Sequence, residues 1–544
     1  MTNTSRRHGI LVVVLALVAA FPIFDRSMVA IDEGQIASFA TRILRGDVLY
    51  RDMYTGIFPG IYYVTSLLFA VFEPDLLVTR YAQVAVNVAT ALVLWRIGLR
   101  IVEPRWALLA PALFSAMIVW GFPITVTFAY SSLSLLAALG AILFLLRYLA
   151  SGSTRDGIAV GLLLAASALM KQNYGALAGL AVLYGLIDGR LSDRLGGRSL
   201  FSALAPVVAA GAAATGVVFV YFAATGALPN LIRYTVETIF ASQLEAFDQP
   251  IPPLLGPHPT DGRFTFLYAP GPLFSYLIRG ETLLGVPLTP AVRSASIRLA
   301  YGTALTLLVL APVVLLLRPG RDRTVRSDAR AVVASAWLMF LGLFPSAIFS
   351  HLVAVLPPIL LLAGIIGERV TGASSPGIRR VLAVAATVVV AFVAVATAAV
   401  ALDLRRWHPE PLSLARASLH VTPGQASLYR QATRYLERCA ELGEPIFVAP
   451  DQPLLYFLAN RPNATPYEMA IPGDIDTDLL IHRLETSRTR CALYNPRMYV
   501  HFGSLGDYYP QIVDYLEREF ERVEDISADG RTWYGLVRRK REAS

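Results

Sequence analysis

Two adjacent carboxylates, Asp32 and Glu33, come directly after the first apolar segment of the chain, residues 10–24. Desolvating a carboxylate this close to hydrocarbon is costly, so a protein that keeps one there usually uses it. A low-dielectric surrounding also raises a carboxyl pKa and makes the group an effective general base. The pair is therefore a candidate catalytic site. The alternative is structural, because acidic residues also cap helices, here one that would start near Gly34.

Lys171 is the only lysine before residue 540 in a chain that otherwise uses arginine. It lies at the outer end of the apolar run 157–170, where short outside loops normally lack cations. A compact ammonium there is suited to holding a phosphate, and Gln172 beside it to contacting phosphate or sugar. The alternative is a lysine that snorkels to the membrane interface.

Further polar residues lie where the sequence pattern predicts the outer side of the membrane. Asp52 follows Tyr50 in the first outer loop, and its alternative role is a turn residue or a salt bridge with Arg51. His351 lies in a very short turn between two apolar runs, and Arg80 lies at the outer start of the second run. Imidazole and guanidinium groups both donate hydrogen bonds to phosphate. The alternatives are a satisfied polar residue for His351 and an interfacial anchor for Arg80.

A membrane domain must position these residues. Of the 544 residues, 55% are hydrophobic and only 16% are charged, whereas about 25% are charged in soluble domains. Arginines concentrate in alternate loops, which predicts an inside N-terminus and explains the net charge of +8 without nucleic-acid binding. We interpret the following apolar runs as about eleven transmembrane helices: residues 10–24, 79–100, 106–122, 130–149, 157–170, 173–188, 202–225, 297–317, 331–349, 351–367 and 379–402.

The predicted fold is thus an α-helical polytopic membrane domain, residues 1–402, followed by an extracytoplasmic α/β domain, residues 403–544. The first extracytoplasmic loop spans residues 25–78, and a large one spans residues 226–296. In these loops the pattern predicts helices at Gly34–Arg45, Gly60–Phe72 and Leu228–Phe247. Residues 250–259 are proline-rich and must be irregular, either as a lid or as a surface connector.

Alternating strand and helix patterns in residues 403–544 indicate the α/β domain. The predicted strands and helices are Pro445–Ala449, Arg490–Tyr494 and Thr532–Val537, and Gln425–Leu442, Pro453–Asn460, Asp476–Thr486 and Tyr509–Phe520. The sequence contains two cysteines, Cys439 and Cys491, and both lie here. An extracytoplasmic domain permits a disulfide between them, but two free thiols are equally compatible with the sequence. We find no Gly-rich phosphate loop or metal-ligand cluster in this part of the sequence.

Several short motifs in this order resemble the GT-C class of membrane glycosyltransferases. The similarity is greatest to the bacterial protein O-mannosyltransferase-like and lipid A aminoarabinose transferase-like families, and it covers roughly residues 10–400. The motifs are Asp32-Glu33, Ala37 and Ala40, Gly46, Tyr50-Arg51-Asp52, Leu169-Met170-Lys171-Gln172, and His351 followed by Pro357-Pro358. Leu352 stands where these families have a tyrosine after the histidine.

The resemblance implies an inverting transferase that moves a sugar from a polyprenyl-phosphate carrier to an extracytoplasmic glycolipid, cell-envelope glycan or protein. It implies Asp32 as the base and Glu33 as a neighbouring catalytic group, with Tyr50, Asp52, Arg80, Lys171, Gln172 and His351 binding substrate. Asp32, Glu33 and Asp52 offer oxygen ligands, but the families that the chain resembles imply neither a metal nor a cofactor. The expected location is the cell membrane of a bacterium, with a cytoplasmic N-terminus.

Three other classes of protein share this general organisation. A lipid-linked glycan transporter should have polar residues at mid-membrane along its pathway, and an O-antigen polymerase or ligase would place its key cations in the large loop, near Arg263 or Arg279. A non-enzymatic sensor with an outer α/β domain would tolerate loss of Asp32. The clustering of ionisable residues at helix ends favours the transferase.

Overall fold

The computed structural model describes residues 3–238, 244, 247–259, 261–318, 322–470, 473, 475–497, 503–528 and 530–539. Each of the eleven apolar runs overlaps a helix. These helices are α1 (Asn3–Ala20), α4 (Leu76–Ile101), α5 (Leu109–Trp120), α6 (Tyr130–Ser151), α7 (Thr154–Met170), α8 (Gln172–Leu191), α9 (Leu200–Ala224), α13 (Pro290–Leu317), α14 (Arg323–Leu341), α15 (Phe349–Gly372) and α16 (Pro376–Trp407). Six of them, α4, α6, α9, α13, α15 and α16, are long and apolar enough to cross a membrane.

Two helices of the first outer loop lie where the sequence predicts them. They are α2, Asp32–Leu44, and α3, Gly60–Phe72. Helix α2 starts two residues before Gly34, so both carboxylates lie in its first turn. Acidic side chains are favourable at that end of the helix dipole.

The large outer loop has more regular structure than expected. The predicted helix at Leu228–Phe247 is a short α10, Leu228–Ile232, followed by a π turn at Arg233–Glu237, and part of the remainder lies outside the described residues. The loop also contains α11 (Gly262–Tyr268), α12 (Gly271–Arg279) and a small hairpin of β1 (Thr282–Leu283) and β2 (Val286–Pro287).

Helix α13 begins at Pro290, earlier than the predicted residue 297. Thr289 caps this end by accepting a hydrogen bond from the Val292 N–H at 3.3 Å, and proline is favourable at a first helical position. Two arginines near the start of α13 hold the proline-rich segment 250–259, which is irregular as predicted. Arg293 donates to the Pro259 carbonyl at 3.1 Å, and Arg298 donates to the Gly256 carbonyl.

The C-terminal part contains a mixed four-stranded sheet in the order β5-β6-β8-β7 and a separate β3–β4 hairpin. Only β5 and β6 pair in parallel. The strands are β3 (Glu410–Leu414), β4 (Ala417–Val421), β5 (Ile446–Ala449), β6 (Cys491–Tyr494), β7 (Phe520–Ala528) and β8 (Arg531–Arg538). The helices are α17 (Pro423–Cys439), α18 (Leu454–Leu458), α19 (Thr477–Thr486), α20 (Leu505–Tyr508) and α21 (Pro510–Glu519).

A disulfide joins Cys439 at the end of α17 to Cys491 at the start of β6, which settles the question that the sequence leaves open. The sequence predicts strands β5, β6 and β8 but not β3, β4 and β7. Helix α16 continues to Trp407 and β3 starts at Glu410, so the predicted domain boundary at residue 402 lies inside a helix.

Candidate active site

Asp32 presents an unpaired carboxylate at the start of α2. Among the described residues, no donor hydrogen-bonds this carboxylate and no cation forms a salt bridge with it. The side chain is partly accessible, although protein surrounds it on most sides. Burial raises the pKa of the Asp32 carboxyl, and the charge of Lys171 opposes part of that rise. The phenol groups of Tyr62 and Tyr130 also lie near enough to interact with its charge.

Glu33 has a different environment, because its carboxylate is buried against Arg80. Arg80 Nη2 donates to Glu33 Oε2 at 2.7 Å, and the Val29 N–H donates to the same oxygen at 3.0 Å. The two side chains are only 3% and 0% exposed. Burial raises the pKa of Glu33, whereas the charge of Arg80 and the two hydrogen bonds lower it. The two residues therefore neutralise each other, and their predicted catalytic and substrate-binding roles stay predictions.

Lys171 connects α7 and α8 and lies near enough to Asp32 for the two charges to interact. Its ammonium donates to Ser131 Oγ at 3.1 Å and lies 4.2 Å and 5.4 Å from the ring centres of Tyr174 and Tyr130. No carboxylate pairs with it in the part of the chain that the structure describes. Aromatic faces hold a cation without neutralising it. The ammonium is thus positioned to receive an anionic ligand.

Gln172 and His351 lie near this lysine, and one side-chain atom of each forms a hydrogen bond with a backbone carbonyl. Gln172 Nε2 donates to the Gly56 carbonyl at 2.9 Å, while its buried Oε1 has no hydrogen-bond partner among the described residues. His351 Nδ1 lies 2.6 Å from the Ser346 carbonyl and must be its donor, because a carbonyl only accepts. That bond leaves Nε2 to face other groups, and Lys171 lies near enough for its charge to act on the ring.

Tyr50 and Asp52 have partners within their own loop. Tyr50 is 1% exposed, has a positive φ of 68° and donates its hydroxyl to the Ile57 carbonyl at 2.7 Å. Asp52 accepts from Arg51 Nη2 at 2.8 Å and from the Val48 N–H at 2.8 Å. Burial alone would raise the pKa of Asp52, but these bonds and the nearby arginines lower it overall. The geometry therefore matches the salt-bridge alternative, and substrate binding by these two residues stays a prediction.

The tyrosines and the serine around Asp32 and Lys171 were not identified from the sequence. They are Tyr62 on α3, Tyr130 and Ser131 at the start of α6, and Tyr174 on α8. Their positions could have indicated a role in the site, since these polar residues lie at the outer ends of apolar helices. In the described ranges, no three metal-ligand side chains come together, and the prediction of no metal requirement remains untested.

Comparison with known proteins identifies the architecture. Residues 58–210 match the family described as dolichyl-phosphate-mannose-protein mannosyltransferase. The fold is similar to that of ArnT from Cupriavidus metallidurans bound to undecaprenyl phosphate, with a TM-score of 0.56, 15% identity and 98% of both chains covered. No curated protein matches the sequence significantly.

The fold is also similar to an oligosaccharyltransferase from Archaeoglobus fulgidus. With an acceptor peptide tethered to that enzyme, the TM-score is 0.52 at 10% identity, covering 98% of this chain and 74% of the other. For the archaeal AglB in complex with an inhibitory peptide and a dolichol-phosphate, the TM-score is 0.50 at 9% identity, covering 91% and 69%. Identities this low establish the fold alone. The chain is therefore a multi-pass membrane protein with a GT-C-like fold, and its residues 58–210 are similar to the dolichyl-phosphate-mannose-protein mannosyltransferases.

Proposed function

We propose that this protein is an inverting glycosyltransferase that takes one sugar from a polyprenyl-phosphate carrier and transfers it to an extracytoplasmic acceptor. One observation carries the proposal: an unpaired, partly accessible carboxylate, Asp32, lies near an unneutralised ammonium, Lys171, without forming a salt bridge to it. An anion-stabilising group opposite a base is what displacement of a phosphate leaving group requires.

In the proposed reaction, the acceptor hydroxyl oxygen attacks the anomeric carbon while its proton passes to the Asp32 carboxylate. The bond between the anomeric carbon and the phosphate oxygen breaks, and its electron pair leaves with the polyprenyl phosphate. Lys171 stabilises the charge that develops on that phosphate. A single displacement needs one base and no carboxylate nucleophile, and it inverts the anomeric centre. This agrees with Asp32 being open while Arg80 holds Glu33.

Gln172 and His351 are the proposed additional contacts to phosphate and sugar. The Gln172 amide oxygen can accept from a sugar hydroxyl. His351 Nε2 can accept from a sugar hydroxyl when the imidazole is neutral and can donate to the phosphate when the imidazole is protonated. The structures of ArnT and AglB with polyprenyl phosphates support this class of donor, because the present chain shares their fold. They do not identify the sugar.

The proposed acceptor is an extracytoplasmic glycolipid, cell-envelope glycan or protein. We place the active site on the outer face of a bacterial cell membrane, as the arginine distribution predicts. In this arrangement residues 403–544 form an outer domain beside the site.

The decisive experiment is sugar release from a panel of radiolabelled polyprenyl-phosphate sugars by the protein in lipid, with membrane extracts as the source of acceptors. Asp32→Asn keeps the shape of the side chain and removes the base. Asp478→Asn is the matched control, because Asp478 is exposed on α19 and belongs to no part of the proposed site. We expect Asp32→Asn to lose about 100-fold or more of the turnover, the scale of a lost general base, and the control to match the wild type.

Undiminished turnover in Asp32→Asn would contradict the assignment of the base and make Asp52 the next candidate. No turnover of any donor by the wild-type protein would contradict the transferase itself. A transporter, or an O-antigen polymerase or ligase, would then be tested by donor translocation and by chain extension.

A further inference from the structure

We propose that residues 450–468 of the C-terminal part act as a positioning element for helix α2, which presents Asp32, and that Glu468 is its main positioning residue. This inference rests on the proposed function, since it concerns where the proposed base lies. In this role the C-terminal domain affects the reaction by positioning Asp32, and it need not contact the substrate.

The first contact is made just after Asp32, where Gly34 lies against the backbone of Leu454 at the start of α18. A Cβ atom added to Gly34 would lie only 2.7 Å from Leu454 Cα, which is closer than atoms can pack. Two small residues on α2, Ala37 and Ala40, share a buried apolar cluster with Phe457 and other α18 residues. The small-residue pattern of α2 therefore serves a close approach between this helix and the C-terminal domain.

The second contact is made at the other end of α2 by Arg42. Its guanidinium donates to Glu468 Oε1 at 3.2 Å, to the Thr465 carbonyl at 3.3 Å, to Asp47 Oδ2 at 2.7 Å and to the Asp52 carbonyl at 2.9 Å. One side chain thus joins α2, the loop that follows it and the C-terminal domain.

Glu468 is well suited to hold this junction in place. Its side chain is fully buried, so a charge there depends on Arg42 for neutralisation. Burial raises the pKa of Glu468 to about 7, although the charge of Arg42 opposes the shift. A third contact lies close by, where the Tyr54 N–H donates to the Pro466 carbonyl at 2.9 Å. Contacts at both ends of α2 fix the helix along its whole length, so a displacement of this segment would move Asp32.

The test compares Glu468→Leu and Glu468→Gln with a matched control in the same domain. Glu468→Leu removes the acceptor for Arg42, whereas Glu468→Gln keeps an oxygen acceptor and should rescue part of the effect. Glu524→Leu is the control, because Glu524 forms an exposed salt bridge with Arg438 at 2.6 Å. Turnover is measured per folded molecule, and hydrogen exchange is measured on the amides of α2.

We expect Glu468→Leu to lower kcat at least about tenfold with the donor KM nearly unchanged, and to accelerate exchange in α2 about tenfold or more. Glu468→Gln should lie between Glu468→Leu and the wild type, and Glu524→Leu should match the wild type. If Glu468→Leu does not fold, Glu468→Gln carries the same test with smaller changes.

Wild-type exchange in α2 together with wild-type kcat would overturn the positioning role. A loss of activity that only follows the folded fraction, with normal exchange in the folded molecules, would overturn it equally. Hydrogen exchange needs no turnover, so the result stands even if no donor reacts. A wild-type protein without transferase activity would therefore refute the proposed function and leave this inference to be decided by exchange alone.

Discussion

The buried pair of Glu33 and Arg80 offers a prediction that separates a structural role from a catalytic one. Glu33 Oε2 accepts two hydrogen bonds, from Arg80 and from the Val29 N–H, both involving a charged group. Such bonds contribute about 1.5–3 kcal/mol each. Glu33→Leu removes both and leaves Arg80, which is 0% exposed, with the Ser27 carbonyl at 3.1 Å and a long contact to Thr127.

We expect Glu33→Leu alone to lower the free energy of unfolding by about 3–5 kcal/mol, the usual cost of breaking a buried ion pair. That is a large part of a total stability of about 5–15 kcal/mol. Arg80→Met alone should cost a similar amount, because it leaves the Glu33 charge without its partner. The double variant should be more stable than either single variant, with a coupling free energy of at least about 2 kcal/mol.

The assay is unfolding in lipid bicelles for all four members of the cycle, followed by donor turnover per folded molecule. If Glu33 serves only to hold Arg80, the double variant should recover turnover to within about tenfold of the wild type. Turnover that stays lost in a stable double variant would support the catalytic role predicted for Glu33 or the substrate-binding role predicted for Arg80. Costs that simply add, with no coupling, would refute the reasoning that the two residues form one buried unit.

Three further predictions concern the site and the disulfide. Lys171→Met should lower kcat/KM for the donor about 10- to 100-fold, the equivalent of one lost charged hydrogen bond, as measured by initial rates, whereas Lys171→Arg should lose less. Because the pKa of Asp32 is raised, the acidic fall in kcat/KM should occur at a higher pH than for an ordinary aspartate. Asp32→Asn should remove this pH dependence. It should also raise Tm at neutral pH, since the folded state no longer holds a desolvated charge. Reducing the Cys439–Cys491 bond, which spans 52 residues, should destabilise its domain by about 4 kcal/mol in chemical unfolding.

The membrane helices could be predicted from the sequence because hydrocarbon leaves the chain little choice. A spanning segment must satisfy its backbone internally and cover it with apolar side chains, so each of the eleven runs overlaps a helix. Helix starts that depend on capping are harder to predict from the apolar pattern. Helix α13 begins at Pro290 because Thr289 caps it, although the residues that follow are too polar to belong to an apolar run.

Two different features explain why strands β3, β4 and β7 are not predicted from the sequence. Strand β7, Phe520–Ala528, is an edge strand with few buried side chains, so it lacks the alternation by which strands are recognised. Strands β3 and β4 do alternate, at Leu412 and Leu414 and at Leu419 and Val421, but they are short and follow directly on a long apolar helix. Their pattern was available and was not used.

The charge pairs between residues distant in sequence could not be predicted. Arg42 and Glu468 are 426 residues apart in sequence, and Glu33 and Arg80 are 47 apart. Nothing in the local pattern of either member indicates its partner. Arg80 was interpreted as a phosphate ligand because it lies at the outer end of a helix, and Asp52 as a substrate contact because it resembles a motif. Tertiary structure pairs Arg80 with the distant Glu33, whereas Asp52 pairs with its neighbour Arg51, as the salt-bridge alternative predicts.

The contrast between Asp32 and Glu33 follows from the geometry of one helical turn. Adjacent helical residues point about 100° apart, so the two carboxylates of the first turn of α2 face different surroundings. One direction leads inward to Arg80, where a buried charge must be neutralised. The other leads to the side of Lys171, Tyr62 and Tyr130, where the carboxylate remains open. A pair that looks redundant in sequence can therefore supply one group that holds the helix in place and one that is free to react.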